Sequence, residues 1–258
     1  MHLNAMNTGE SGDTLASLEA TSATYTRGSP QDCAIRGLIV RTFAPYLRPD
    51  MCGLQLGYAE GVDTALLAPL LDRLDVVEGS RAFYEAGRAA ALANVTIHHD
   101  LFERFLPKVK NKYAAVFAVY VLEHVQEPVA LLRLAKDALA DGGLLFVAAP
   151  NARALSRQLA LKMGLLPSLY SLTPRDLEHG HRRVYDSETL QQHIRAAGLN
   201  VIAQGGVMLK ILADFQLDEL MRQGILGEAQ IDGLYALGHD YPDLCGSLYA
   251  VCGKEQAT

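Results

Sequence analysis

From residue 51 onward, short apolar runs alternate with amphipathic stretches. The runs Met51–Leu56, Leu74–Glu78, Val95–His99, Ala114–Tyr120, Gly143–Ala149, Leu199–Gly205 and Leu248–Cys252 have the length and composition of strands. Between them, Val62–Leu71, Arg81–Leu92, Pro128–Ala140 and Ser187–Ala197 read as helices. Ahead of the first strand, Gln31–Leu47 places Ile35, Leu38, Ile39 and Phe43 at helical spacing and stops before Pro49. Strict alternation of this kind predicts an α/β fold, a mostly parallel sheet with helices on both faces.

Two stretches break the rhythm. Residues 151–185 fall between the fifth strand and the next helix, and residues 207–244 between the last two strands. Both are too long for simple connections, and insertions near strand ends commonly form lids or substrate walls. The second holds an amphipathic pair around Leu217–Ile225 and Ala229–Leu237, which serves packing or a homodimer surface; the residues leave both readings open. Residues 1–27 are rich in Ser, Thr, Ala and Gly and read as a mobile segment that orders against a ligand or partner. The expected organisation is therefore an N-terminal segment and cap helix over 1–48, then one domain over 49–258 with a lid at 151–185 and an insertion at 207–244.

Composition narrows the function. At 258 residues and 50% hydrophobic, the chain can bury a sizeable core without staples. Net charge is -6 and no long basic run occurs, which argues against nucleic-acid partners. Cys33, Cys52, Cys245 and Cys252 show neither metal nor redox spacing, so buried free thiols in a reducing compartment are expected. There is no signal-peptide pattern and no apolar run of membrane-spanning length. The expected setting is cytoplasmic, with a small-molecule substrate and no membrane partner.

The most informative segment is Leu54-Gln55-Leu56-Gly57-Tyr58-Ala59-Glu60-Gly61, followed about twenty residues later by Val76-Val77-Glu78. A strand runs into a turn of small residues, a helix follows, and the next strand ends on a carboxylate. That pattern builds a nucleotide-type site at the carboxyl edge of a parallel sheet. Gly57 and Gly61 let the backbone approach a ligand, and Glu78 can accept both hydroxyls of a ribose. The turn lacks a following Lys-Ser or Lys-Thr pair, which argues against a P-loop.

Taken in order, these parts resemble class I S-adenosylmethionine-dependent methyltransferases, especially the small bacterial branch related to ubiquinone-type methyltransferases. The resemblance covers roughly residues 51–205 and the closing strand to Cys252. The family's first motif, an acidic residue then x-Gly-x-Gly-x-Gly, corresponds to Gln55-x-Gly57-x-Ala59-x-Gly61. Its acidic ribose ligand matches Glu78, with Gly79 and Ser80 following. Its adenine contact matches Asp100, with Leu101 and Phe102 as the apolar wall. Its strand-four motif matches Val119-Tyr120-Val121-Leu122-Glu123-His124-Val125, and Asp141-Gly142-Gly143 and Pro150-Asn151 match the flanks of strand five. The resemblance thus implies a Rossmann-like seven-stranded fold and S-adenosylmethionine, leaving S-adenosylhomocysteine as product. The cofactor is implied to lie against Gln55, Gly57, Tyr58, Ala59, Gly61, Glu78, Gly79, Ser80, Asp100, Leu101, Phe102, Val119, Tyr120 and Glu123.

Two departures stand out. Gln55 replaces the carboxylate that orients the methionine amine, which removes a charge-assisted bond worth about 1–2 kcal/mol. Ala59 replaces the middle glycine. The metal-dependent subgroup has a further Glu where this chain has Tyr120, so no metal centre is expected.

Methyl transfer from a sulfonium needs positioning, desolvation and at most one base. His124 lies just after strand four and serves beneath the cofactor, as that base or as a metal ligand. Glu178-His179-Gly180-His181-Arg182-Arg183-Val184-Tyr185 is the richest polar cluster. His181, with His179 as the alternative, reads either as base or as a hydrogen-bonding tie between lid and core. Two histidines two apart in an extended loop point to opposite sides, so one faces the pocket. Arg182 and Arg183 can engage an acidic substrate group, and Asp186 reads as a helix N-cap. Tyr25, Arg36 and Tyr58 are weaker candidates for the cofactor carboxylate, and Met208, Leu209 and Lys210 either line the pocket or pack in the core.

The function expected is methyl transfer to an oxygen or nitrogen of a small metabolite, biosynthetic intermediate or glycan precursor. A nicotinamide-dependent oxidoreductase is the alternative from the same fold, although no Tyr-x-x-x-Lys pair is suitably placed. A non-catalytic relative that binds the cofactor is the third reading.

Overall fold

The computed structural model describes residues 18–20, 22–23 and 28–255. Tyr25 and most of the N-terminal segment lie outside the described residues. Seven strands form one sheet: β1 (Cys52–Leu56), β2 (Arg73–Glu78), β3 (Val95–His99), β4 (Tyr113–Val119), β5 (Leu139–Pro150), β6 (Leu199–Leu209) and β7 (Cys245–Lys254). Their order is β3-β2-β1-β4-β5-β7-β6. Neighbours among the first five are parallel, while β7 runs antiparallel to both β5 and β6. This is the Rossmann-like seven-stranded sheet the alternation implied.

The period-2 pattern of the strands splits the core between two faces. Leu54, Leu56, Val116, Ala118, Leu145, Val147 and Ala149 point to one side, with Leu131, Leu132, Ala135, Leu190 and Ile194 from the covering helices. Ala115, Phe117, Val119, Phe146 and Ala148 point to the other, with Ile35, Leu38, Ile39, Phe43, Phe83 and Ile231. The second face is anchored by aromatic packing. Phe146 stacks on Phe117, and its centroid is 5.0 Å from that of Phe43.

The helices begin where local chemistry satisfies their free N–H groups. In α1 (Pro30–Phe43) Ser29 caps the start and Pro30 occupies the first turn. Two short helices, α2 (Val62–Leu67) and α3 (Arg81–Ala90), follow β1 and β2, the latter capped by Ser80. A single turn, α4 (Phe102–Phe105), follows β3, and α5 (Pro128–Ala138) follows β4. The lid carries α6 (Leu155–Lys162) and α7 (Pro174–Glu178), and α8 (Ser187–Ala196) starts at Asp186, in a capping box with Thr189. The later insertion holds α9 (Asp214–Arg222) and α10 (Glu228–Asp240).

Several expectations need correction. The fifth strand begins at Leu139, four residues earlier than expected. Gly142 adopts φ +70°, and a Cβ on Gly143 would sit 2.8 Å from the Tyr113 carbonyl. The two glycines therefore let the strand continue past an irregularity in its pairing with β4 rather than start after it. The sixth strand runs on to Leu209, so the insertion proper begins at Lys210. Cys245 and Cys252 are buried free thiols, whereas Cys33 is exposed on α1. Among the described residues, no helix is long and apolar enough to cross a membrane.

Candidate active site

The turn after β1 is held together from below. Gln55 is buried; its amide nitrogen donates to the Gly57 carbonyl (2.8 Å) and its amide oxygen accepts from Thr64 (2.9 Å). The side chain thus braces the turn and the helix after it, and its amide oxygen keeps a second lone pair. Gly57 and Gly61 adopt φ +84° and +78°. Ala59 adopts φ +47°, a left-handed conformation that costs a side-chain-bearing residue about 1 kcal/mol. The Tyr58 ring fills the gap between Gly61 and Gly87, so this candidate packs within the protein.

Glu78 stands at the tip of β2, as the pattern required. One carboxylate oxygen accepts from the Tyr58 N–H (2.7 Å) and the Ala59 N–H (3.3 Å), and the other from the Ser80 N–H (2.7 Å). Burial raises its pKa, and these backbone donors oppose the rise. Asp100 follows β3; it accepts from the Leu101 N–H (2.9 Å) and from Lys108 (2.8 Å). Phe102 opens the next turn of helix. Glu19 accepts from the Arg81 N–H (2.5 Å) and from the Ser80 hydroxyl (3.2 Å), and Leu18 packs on Gly79 and Leu101. The N-terminal helical residues therefore lie along the edge formed by residues 79–81.

A cavity of about 440 Å³ opens beyond the carboxyl ends of the sheet, a size suited to a small molecule. Helix α1, the end of β4, the lid and the insertion all contribute to its wall. Arg36 of α1 reaches into it, buried, ion-paired to Asp32 at 2.7 Å and to Asp63 of α2, with its guanidinium 5.0 Å from the centre of the Tyr120 ring. Tyr120 holds φ +54°, an uncommon backbone state for an aromatic residue, and its hydroxyl meets Ser247 at 2.5 Å. Through this pair the cavity wall connects to α2, the helix that follows the β1 turn.

Glu123, His124 and His181 converge at the cavity floor. Each offers a donor atom within 4.8 Å of the others. Glu123 is fully buried, and neither carboxylate oxygen has a hydrogen-bond partner among the described residues. Burial pushes its pKa up to about 7, against the pull of His181. Burial also pushes His124 down to about 3, reinforced by His181 and opposed by the Gly180 carbonyl. The two rings meet edge to face, 4.8 Å between centroids. Behind His181, Asp176 Oδ1 lies 3.2 Å from Nδ1.

The lid residues divide in a way the extended-loop reading missed. His179 is the C-cap of α7 rather than part of a strand, so it and His181 both line the cavity. Arg182 and Arg183 are not among the residues that line the cavity. The Arg182 N–H donates to the Glu123 carbonyl (2.8 Å) and its side chain to the His124 carbonyl (3.0 Å). Arg183 donates to the carbonyls of Leu122, Val125 and Gln126. These two arginines tie the lid to the loop after β4. Asp176 and Asp63 went unnoticed in the sequence. The Thr173-Pro174-Arg175-Asp176 capping box was the available signal for Asp176, since it announces a helix start. Met208 and Leu209 are buried, whereas Lys210 lines the cavity beside Asp214.

A family model described as methyltransferase domain matches residues 29–204. Comparison with curated proteins finds no significant match. Solved structures share the architecture. The DhpI-SAM-HEP complex matches at 20% identity and TM-score 0.58, over 96% of this chain and 99% of that one. A SAM-dependent methyltransferase from Mesorhizobium loti matches at 14% and 0.57, over 83% and 94%. The [4+2]-cyclase SpnF matches at 18% and 0.59, over 96% and 95%. At these identities the likeness shows the fold, and the cyclase illustrates that one fold hosts different chemistries. The family match spans more than half of the chain, and the chain accordingly belongs to the methyltransferase-domain family, with the class I S-adenosylmethionine-dependent methyltransferase fold.

Proposed function

We propose that this protein moves the methyl group of S-adenosylmethionine to an oxygen or nitrogen of a small metabolite, biosynthetic intermediate or glycan precursor. The observation that carries the reading is the cavity beyond the carboxyl ends of the sheet, with Glu123, His124 and His181 converging on its wall. The residues fit the cofactor. A Cβ at Gly57 would meet nothing within 4 Å, which leaves room beside the turn. Glu78 offers ribose hydroxyls a buried carboxylate with lone-pair capacity beyond its three backbone donors. Asp100, Leu101 and Phe102 suit the base, and Arg36 suits a carboxylate. When bound, the cofactor supplies a sulfonium whose methyl carbon is electrophilic.

The chain's own task is to hold the acceptor, exclude water and receive its proton. The Glu123–His124–His181 cluster is the proton-accepting end of the cavity. His181 is its lid-side member, and Asp176 beside Nδ1 stabilises the imidazolium and leaves Nε2 for the acceptor. His179 is the alternative on the same loop. Lid closure over these groups, fixed by Arg182 and Arg183, removes solvent from the site. A balanced charge along the wall (Arg36, Arg157, Lys210 against Asp32, Asp176, Asp214) favours a polar acceptor over a strongly charged one.

The test is transfer of labelled methyl from S-adenosylmethionine to pooled metabolite acceptors. A labelled product is expected, with the rate lowered about 10²- to 10⁴-fold in His181→Ala while S-adenosylhomocysteine affinity is kept. An undiminished rate in His181→Ala and in His179→Ala would remove histidine as the base.

A further inference from the structure

We propose that Glu123, His124 and His181 form a binding site for a divalent transition-metal ion of the zinc type. Three observations point to it. The three donors, one carboxylate and two imidazoles, already lie within 4.8 Å of one another. Tetrahedral zinc with bonds of about 2.0–2.2 Å places its donors about 3.3–3.6 Å apart, so side-chain rotations that bring the three donors about 1 Å closer close the set. Second, Glu123 is wholly buried with both oxygens lacking partners among the described residues, a costly arrangement that a cation removes. Third, His181 is backed in the manner of a metal ligand. Asp176 Oδ1 sits 3.2 Å from its Nδ1. A carboxylate or carbonyl on the far ring nitrogen fixes the tautomer and the ring for coordination.

The sequence pointed away from a metal because Tyr120 stands where a related subgroup carries a third ligand. The fold supplies a different third ligand, His181, from a lid residue 57 positions beyond His124. Two imidazoles and one carboxylate leave at least one coordination position open to the cavity, the composition of a catalytic site rather than a closed structural one. An acceptor hydroxyl bound there would have its pKa lowered by the ion. The inference rests on the reading of this cavity as the acceptor site and changes one role in it: with the ion bound, His181 is a ligand, and His179, which also lines the cavity, takes the acceptor's proton.

The experiment uses the full, untagged chain freed of metal by chelator. Zinc chloride is titrated calorimetrically, cobalt(II) is followed by its visible ligand-field bands, and S-adenosylhomocysteine is titrated on the same sample. One metal equivalent per chain is expected, with His181→Ala and His124→Ala at least about 100-fold weaker. Asp176→Asn, which leaves the three ligands in place, should be weaker by about 10- to 100-fold. S-adenosylhomocysteine binding certifies that each variant is folded. Binding of S-adenosylhomocysteine without metal overturns the metal site alone, as does metal binding that all three variants retain in full. Metal binding without S-adenosylhomocysteine supports the site and overturns the cofactor reading. Failure of both overturns both.

Discussion

Glu78 carries three backbone N–H groups of two successive loops and is also the carboxylate on which β2 ends. Its removal leaves those donors unpaired at a cost of about 1–3 kcal/mol, and it deletes the ribose acceptor. Glu78→Ala should therefore lower thermal stability and weaken S-adenosylhomocysteine binding about 10- to 100-fold or more; unchanged affinity in calorimetry would end its assignment to the ribose. Ala59 offers the opposite experiment. It occupies a left-handed backbone position without being glycine, so Ala59→Gly should leave the fold intact and raise stability by up to about 1 kcal/mol, read as an increase in Tm. A fall in Tm would mean the turn is not strained there. Individual residues were legible where one local pattern fixes them, as with Gly57, Gly61 and Glu78. They were illegible where the partner is distant: the ion pair of Arg36 with Asp63, 27 positions on, shows in no local pattern. Asp176 acquires its role only because the chain returns His181 beside it.

Arg183 clamps the lid to the loop after β4. Arg183 donates to three carbonyls of the loop after β4, a fan that a planar guanidinium can span and an ammonium cannot. Arg183→Lys should keep the charge and lose the clamp. Faster hydrogen exchange is expected over 173–185, with kcat/KM lowered about tenfold, in line with about 1–3 kcal/mol for unmet buried acceptors. Exchange confined to wild-type rates would show that the lid is held elsewhere. At this scale the strands were readable because a central strand buried on both faces is a short continuous apolar run. The lid was harder: α7 is five residues long, too short for a hydrophobic period to announce, and reading it as extended placed one of two histidines on the wrong side. The fifth strand's early start was hidden for a related reason, since Asp141-Gly142-Gly143 normally marks a break and here permits an irregular pairing.

Across the whole molecule, one polar network ties the two halves of the sheet together. Asp75 of β2 is buried and accepts from the Tyr113 hydroxyl (2.7 Å) and Lys112 (3.2 Å), with His98 at 3.3 Å. Burial works against its charge, but Tyr113, His98 and Lys112 outweigh it and hold the carboxyl below its ordinary value. A carboxylate depressed on folding adds stability above its unfolded pKa of about 3.9, and that stability is lost as pH falls through the folded value. Asp75→Asn should therefore be less stable than wild type at pH 7, and the gap should narrow below about pH 4 in denaturant titrations. Parallel curves at both pH values would refute the linkage. The sequence identified the seven-stranded architecture because order, spacing and polarity agree over some 150 residues, whereas the acceptor cavity is assembled from α1, the loop after β4, the lid and the insertion, whose mutual placement no local pattern records.

Everything in this account turns on which cofactor the β1 turn and Glu78 accept. Calorimetric titration of the purified chain with S-adenosylhomocysteine, and separately with NAD(H), decides it. The account predicts saturable micromolar binding of S-adenosylhomocysteine at one site per chain and none of the nicotinamide. Binding of NAD(H) without S-adenosylhomocysteine, or of neither, would contradict it.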